Sequence, residues 1–143
     1  MENILREDFD RIANQVDLSR LRGTTVLITG SHGFIGSYLV RMFDYLDVCD
    51  VQGIDNFIAG KKDSLADIRS NRIYLRDLDI ASEYALISKK ADYVLHAASI
   101  AAPMFYKRYP LETVHANVQG TWNVLDWAVK TKPLSLVHFS SSE

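Results

Sequence analysis

Five short apolar runs are spread along this chain, and segments with helical spacing lie between them. The runs are 25–28, 51–54, 73–75, 93–96 and 134–139. Each is too short for a helix, and a continuous rather than alternating apolar run is what a strand buried on both faces requires. Helical spacing is predicted over 3–16, where Leu5, Phe9, Ile12 and Val16 recur on one face. It returns over 34–46, over a short stretch at 64–69, over 82–89 and over 111–130, where Val114, Val118, Leu125 and Val129 share a face. Strands alternating with helices imply right-handed crossovers and a parallel sheet covered on both sides. The expected architecture is a doubly wound, Rossmann-like α/β fold with strand order 3-2-1-4-5, ending after its fifth strand. A helical extension is expected over 1–22 and the sheet domain over 23–143.

Composition narrows the partners. A net charge of −2 gives no bulk attraction to nucleic acid or to an anionic membrane. No apolar run approaches the roughly 18 residues of a membrane span, and the acidic start (Glu2, Glu7, Asp8, Asp10) does not read as a signal peptide. Cys49 is the single cysteine, so no internal disulfide is expected and a reducing cytoplasm fits. His32, His96, His115 and His138 have no metal-ligand spacing, so no metal is expected. His96 reads as a packed core histidine, Cys49 as structural, and Trp122 and Trp127 as packing residues of the long helix.

The turn after the first apolar run carries the chemistry. It reads Gly30-Ser31-His32-Gly33-Phe34-Ile35-Gly36, with a strand before it and a helix after it. The first glycine permits the tight turn, the second lets a pyrophosphate approach the backbone, and the third lets helix and strand pack closely. Free N–H groups and the positive end of the helix dipole favour an anion there. The second strand ends at Asp55, 19 residues after Gly36. A carboxylate at that place accepts ribose hydroxyls and repels a 2′-phosphate, which favours NAD over NADP. The plainer alternative makes Asp55 a turn residue. Lys61 and Lys62 beyond it read either as phosphate contacts or as solvated lysines.

Further motifs follow in order: Asp55-Asn56-Phe57 with Gly60, Asp77-Leu78, His96-Ala97-Ala98-Ser99, Asn117-Val118-Gln119-Gly120-Thr121, and Ser140-Ser141-Ser142-Glu143. As a series they resemble the extended short-chain dehydrogenase/reductases, the NAD-dependent epimerases, dehydratases and decarboxylases of nucleotide sugars. The resemblance covers about 23–143. Within that family the loop from Asp55 to Lys62, the stretch from His96 to Pro110 and the final Ser-Glu are most similar to the decarboxylases of UDP-glucuronate. Ile100 and Phe105 depart from that pattern, standing where it has proline and asparagine.

The resemblance implies roles. Gly30, Gly33, Phe34, Ile35, Gly36, Asp55, Asn56, Phe57 and Gly60 would hold the cofactor. Asp77 and Leu78 would meet its adenine, and Ala97, Ala98 and Ser99 its nicotinamide ribose. Asn117 would support the loop after strand four, and Tyr106 would reach the substrate. Ser141 would stand near the sugar C4 oxygen. Ser142 and Glu143 would separate decarboxylases and dehydratases from epimerases. The implied reaction takes a hydride from C4, loses carbon dioxide from the resulting β-keto acid, and returns the hydride. 4,6-Dehydration, epimerisation and a non-catalytic dinucleotide-binding module remain open as alternatives. The family's general base is the tyrosine of Tyr-x-x-x-Lys. None of the seven tyrosines here has lysine four residues on, so the isolated chain is expected to be inactive. The family also implies a homodimer through the long helix, and the fifth strand is expected as an exposed edge that promotes self-association.

Overall fold

The structure is a computed structural model and describes residues 2–82 and 90–140. Its sheet has five parallel strands: β1 (Thr25–Thr29), β2 (Asp50–Asp55), β3 (Ile73–Asp77), β4 (Tyr93–His96) and β5 (Ser135–His138). Their order is β3-β2-β1-β4-β5, as expected. The register aligns Thr29 with Ile54 and with His96, Asp55 with Asp77, and His96 with His138. The chemistry-bearing residues of the motifs therefore leave the sheet along one edge, at its C-terminal ends. Strand order reverses between β1 and β4, the place where open α/β sheets bind ligands.

β1 shows why its run is continuously apolar. Val26 and Ile28 face one layer, and Leu27 faces the other. The first layer contains α1 (Glu2–Gln15) and α2 (Phe34–Leu46). Phe9 of α1 is buried against Tyr38 and Tyr45, at ring separations of 5.1 and 5.7 Å. Leu5 and Ile12 pack beside it. α2 stops at Asp47, whose left-handed backbone (φ 47°) turns the chain into β2.

The second layer is a helix in three parts: α4 (Pro110–Val114), a π turn over His115–Gly120, and α5 (Thr121–Thr131). Its buried stripe is Gly120, Asn123, Val124 and Trp127, packed towards Leu27, Ile54 and Val94. Val114, Val118, Leu125 and Val129 face outward instead. Trp122 is also a correction: it is 70% exposed, because it sits two residues, about 200°, around the helix from buried Val124. Trp127 packs as expected.

Two local expectations change. The stretch at 64–69 forms a 3₁₀ turn, Lys62–Leu65, rather than an α-helix. Arg41 takes the Ser64 carbonyl at 2.6 Å, and the Ile68 N–H turns to Leu65 instead. After β4, residues read only as a motif form α3 (Pro103–Arg108). The helix expected over 82–89 lies outside the described residues from 83 onward.

Because Phe9 joins α1 to the core, Phe9→Ala is expected to cost about 3–5 kcal/mol of unfolding free energy in denaturant titrations. Ile4→Ala, at a position 65% exposed, is expected to change it by less than about 0.5 kcal/mol. Equal effects would contradict the placement of α1.

Candidate functional site

Gly30 follows β1 with a left-handed backbone (φ 71°), and a Cβ there would lie 2.7 Å from the Ala97 carbonyl oxygen. A Cβ on Gly36 would lie 2.0 Å from the Gly30 carbonyl oxygen. Neither position admits a side chain, so α2 begins directly against the turn. The turn is also tied to the next strand: the Gly30 and Ser31 N–H groups donate to Ile54 O at 2.8 and 3.2 Å. The first bond closing α2 runs from Ser37 N–H to Gly33 O at 2.9 Å. The N–H groups of Phe34, Ile35 and Gly36 therefore have no acceptor within the helix.

A cavity of about 260 Å³ opens at this helix start. Gly30, Gly33 and Phe34 line one side, and Asp55, Asn56, Ala59 and Gly60 line the end beyond β2. Leu78, Asp79 and Ile80 follow from β3. The opposite wall is Ala97, Ala98, Ser99 and Ile100–Ala102, with Phe105 of α3 and Ala116 of the π turn. It is a wall of mostly small side chains, as close approach of a ligand to backbone requires.

Asp55 is fixed before any ligand arrives. One carboxylate oxygen accepts the His32 N–H at 2.9 Å, and the other accepts the Phe57 N–H at 2.8 Å. Each oxygen keeps a further lone pair for a hydroxyl donor. The loop after β3 is held by α5: Asn123 donates to the carbonyls of Ile80 (2.8 Å) and Ala81 (3.1 Å). Gln119 orients that amide from 2.7 Å. A Cβ on Gly120 would crowd Ile80, so the π turn ends where the helix must come close.

At the other end, His96 is buried between two hydroxyls. Thr29 Oγ1 is 2.6 Å from its Nδ1 and Thr121 Oγ1 is 3.0 Å from its Nε2. Thr29 Oγ1 also accepts the Ala98 N–H at 3.2 Å. His96 is thus a packed core histidine that sets the loop behind the cavity wall. Burial pushes its pKa down to about 4, helped by His138 stacked 4.9 Å away. Burial likewise raises the Cys49 thiol to about 11, which keeps it protonated.

Comparison with known proteins fits this arrangement. The model of the NAD-dependent epimerase/dehydratase family matches residues 26–143. The chain belongs to that family. It is 36% identical over 120 residues to UDP-glucuronic acid decarboxylase 1 of Arabidopsis thaliana, covering 82% of this chain and 26% of that relative. The UDP-N-acetylglucosamine 4-epimerase of Methanobrevibacter ruminantium, solved with UDP-N-acetylmuramic acid, superposes with a TM-score of 0.71 at 26% identity, over 85% of this chain and 39% of its own. The Bordetella bronchiseptica enzyme WbmG, solved with NAD, gives 0.70 at 27% identity, over 86% and 39%. The chain thus spans about a quarter of that decarboxylase's length.

Of the residues that the family resemblance singled out, the cavity gathers Gly30, Gly33, Phe34, Asp55, Asn56, Gly60, Leu78, Ala97, Ala98 and Ser99. Gly36 lies beneath it, Ile35 is half-exposed on α2, and Phe57 reaches it only through Asp55. Asp77 pairs with Lys62 at 3.4 Å outside the lining. Tyr106 and Asn117 also lie outside it, while their neighbours Phe105 and Ala116 line it. Ser141, Ser142 and Glu143 lie outside the described residues. Sequence reasoning missed Phe105, although Pro103 at the first turn of α3 is a usable helix-start signal. The π turn that presents Ala116 has no comparable signal. Among the described residues no cluster suits a metal ion, and no helix is long and apolar enough to cross a membrane.

The His96 shift has a sign that can be checked. Its folded pKa lies below the unfolded value of about 6.5, so the unfolded chain takes up the proton first. This stabilisation is complete above about pH 6.5 and is lost as pH falls towards 4. His32 is shifted in the same direction, mainly by burial. Unfolding free energy is expected to drop by about 2 kcal/mol between pH 7 and pH 5 in denaturant titrations. A flat profile would contradict it.

Proposed function

We propose that this chain binds NAD and forms the cofactor-holding part of an enzyme that modifies a nucleotide sugar, most like the UDP-glucuronate decarboxylases. The observation that carries this reading is one cavity with the glycine turn and the first N–H groups of α2 on its side and the Asp55 carboxylate at its end. The residues fit a dinucleotide. The N–H groups of Phe34, Ile35 and Gly36 would hold the pyrophosphate. The Asp55 oxygens would accept ribose hydroxyls, and their charge would repel a 2′-phosphate. Ala97, Ala98 and Ser99 would leave room on the nicotinamide side, with Ala98 set by Thr29 and His96.

Bound NAD supplies hydride acceptance and donation at the sugar C4. In the proposed roles Ser141 shares the proton of the C4 oxygen, and Glu143, beside Ser142, acts as acid, base or guide near C5 and C6. Asp77 with Leu78, Tyr106 and Asn117 keep their proposed parts at the adenine edge, the substrate side and the loop after β4. The name of the Arabidopsis relative supports decarboxylation of a UDP-sugar. The name of the superposed epimerase supports C4 epimerisation as the second reading. Residues 1–22 are a helical extension to the NAD-binding domain at 23–143, in a cytoplasmic protein. With no Tyr-x-x-x-Lys in its 143 residues, the chain by itself does not turn over substrate.

Calorimetry with the 143-residue chain tests the core of this reading. NAD is expected to bind at least about tenfold more tightly than NADP, a difference of about 1.4 kcal/mol. Asp55→Asn is expected to narrow that ratio. UDP-glucuronate is expected to stay unchanged with the chain alone, and to yield carbon dioxide and a UDP-pentose with an enzyme that also carries Tyr-x-x-x-Lys. No NAD binding would overturn the cofactor reading, and a hexuronate epimer without carbon dioxide would replace the decarboxylase reading.

Two exposed apolar surfaces support self-association: Val114, Val118, Trp122, Leu125 and Val129 on the long helix, and Leu134, Val137 and Phe139 along β5. The proposal is a homodimer through the helix face in the whole enzyme. Size-exclusion chromatography of the chain is expected to give dimers or larger species at high concentration, shifted towards monomer by Val129→Glu. A clean monomer at every concentration would contradict it.

A further inference from the structure

The residues whose N–H groups grip Asp55 also grip each other. His32 donates to one carboxylate oxygen at 2.9 Å and Phe57 to the other at 2.8 Å. Their rings meet edge to face, 4.7 Å apart at 75°. The His32 ring is held from behind by Ser31 Oγ, 3.0 Å from its Nδ1. Ser31 packs in turn against Gly53, where a Cβ would lie 2.8 Å from the serine Cβ. Phe57 has the left-handed backbone (φ 59°) that side-chain-bearing residues rarely adopt. The Lys62 ammonium lies over its ring at 5.0 Å from the centroid, itself 3.4 Å from the Asp77 carboxylate. A short polar loop would not need two aromatic rings and a strained residue merely to turn.

We propose that the His32–Phe57 ring pair is a latch that closes the two-N–H clamp on Asp55 and so sets preference at the adenosine end of the cofactor site. His32 and Phe57 are positioning residues: they act through the Asp55 carboxylate. Without the ring contact, Phe57 is free to leave its left-handed conformation, and its N–H leaves Asp55 with it. The carboxylate then rotates, and its geometry towards ribose hydroxyls is lost along with its fixed charge opposite a 2′-phosphate. The latch rests on the NAD reading above and adds to it what makes Asp55 selective. Burial biases His32 to its neutral form, with Lys62 acting in the same direction and the Asp55 and Asp77 carboxylates opposing it. A phenyl ring supplies the same ring contact to Phe57, without the Ser31 Oγ bond that holds the imidazole.

The test is calorimetry of the 143-residue chain with NAD, NADP and ADP-ribose, with thermal unfolding as the check on folding. His32→Ala is expected to weaken NAD and ADP-ribose roughly three- to tenfold, to leave NADP nearly unchanged, and so to shrink the NAD/NADP ratio. His32→Phe is expected to restore most of that ratio, which a loss of general stability would not do. Phe57→Leu, which keeps bulk without a ring, is expected to behave as His32→Ala. In an Asp55→Asn background His32→Ala is expected to have little further effect on the ratio. If the unsubstituted chain fails to bind NAD, the cofactor reading falls and the latch with it. If it binds NAD and the folded His32→Ala and Phe57→Leu variants keep its NAD/NADP ratio, the latch alone is overturned.

Discussion

The close approach between α2 and the turn before it is the constraint on which this molecule depends. A single methyl group at Gly36 would stand 2.0 Å from the Gly30 carbonyl oxygen, and one at Gly30 would run into the backbone after β4. Because both are absent, three segments meet backbone to backbone: the end of β1, the start of α2 and the loop after β4. That contact puts the unbonded N–H groups of the helix at the crevice where the strand order reverses. Everything proposed for an anionic cofactor follows from that placement.

The proposed selectivity rests one strand away. The turn donates two N–H groups to Ile54 O and one to Asp55, so the position of β2 and that of the turn are one variable. Gly53 keeps the same side clear for Ser31 and Leu75. The carboxylate is then fixed by backbone donors rather than by a cation. Its charge would then stand opposite a second phosphate, as the proposed discrimination requires. On the far side, Thr29 and His96 hold the start of the loop after β4 through the Ala98 N–H.

Much of this was legible in the residues. The strand order followed from five short apolar runs separated by helical spacing, since each strand here is buried on both faces or paired in parallel. The glycine turn and Asp55 announced one end of the cavity by spacing alone. The rest was hidden for physical reasons. α3 has six residues, too few for a periodic signal. The outward valines of the long helix repeat with the spacing of a buried face, so their pattern does not reveal which stripe is inside. The true stripe includes Gly120 and Asn123, a small and a polar residue that packing and two carbonyl acceptors bring inside. At 64–69 a tertiary contact, Arg41 on the Ser64 carbonyl, overrode local helical preference.

The central claim is that the crevice between β1 and β4 receives a dinucleotide with Asp55 at its adenosine end. Amide chemical shifts of the isotopically labelled chain during titration with NAD test it most directly. The largest shifts are expected at Gly33–Gly36, Asp55–Gly60 and Ala97–Ser99, with α1 silent. Shifts centred on α1 or β5, or none at millimolar NAD, would contradict it.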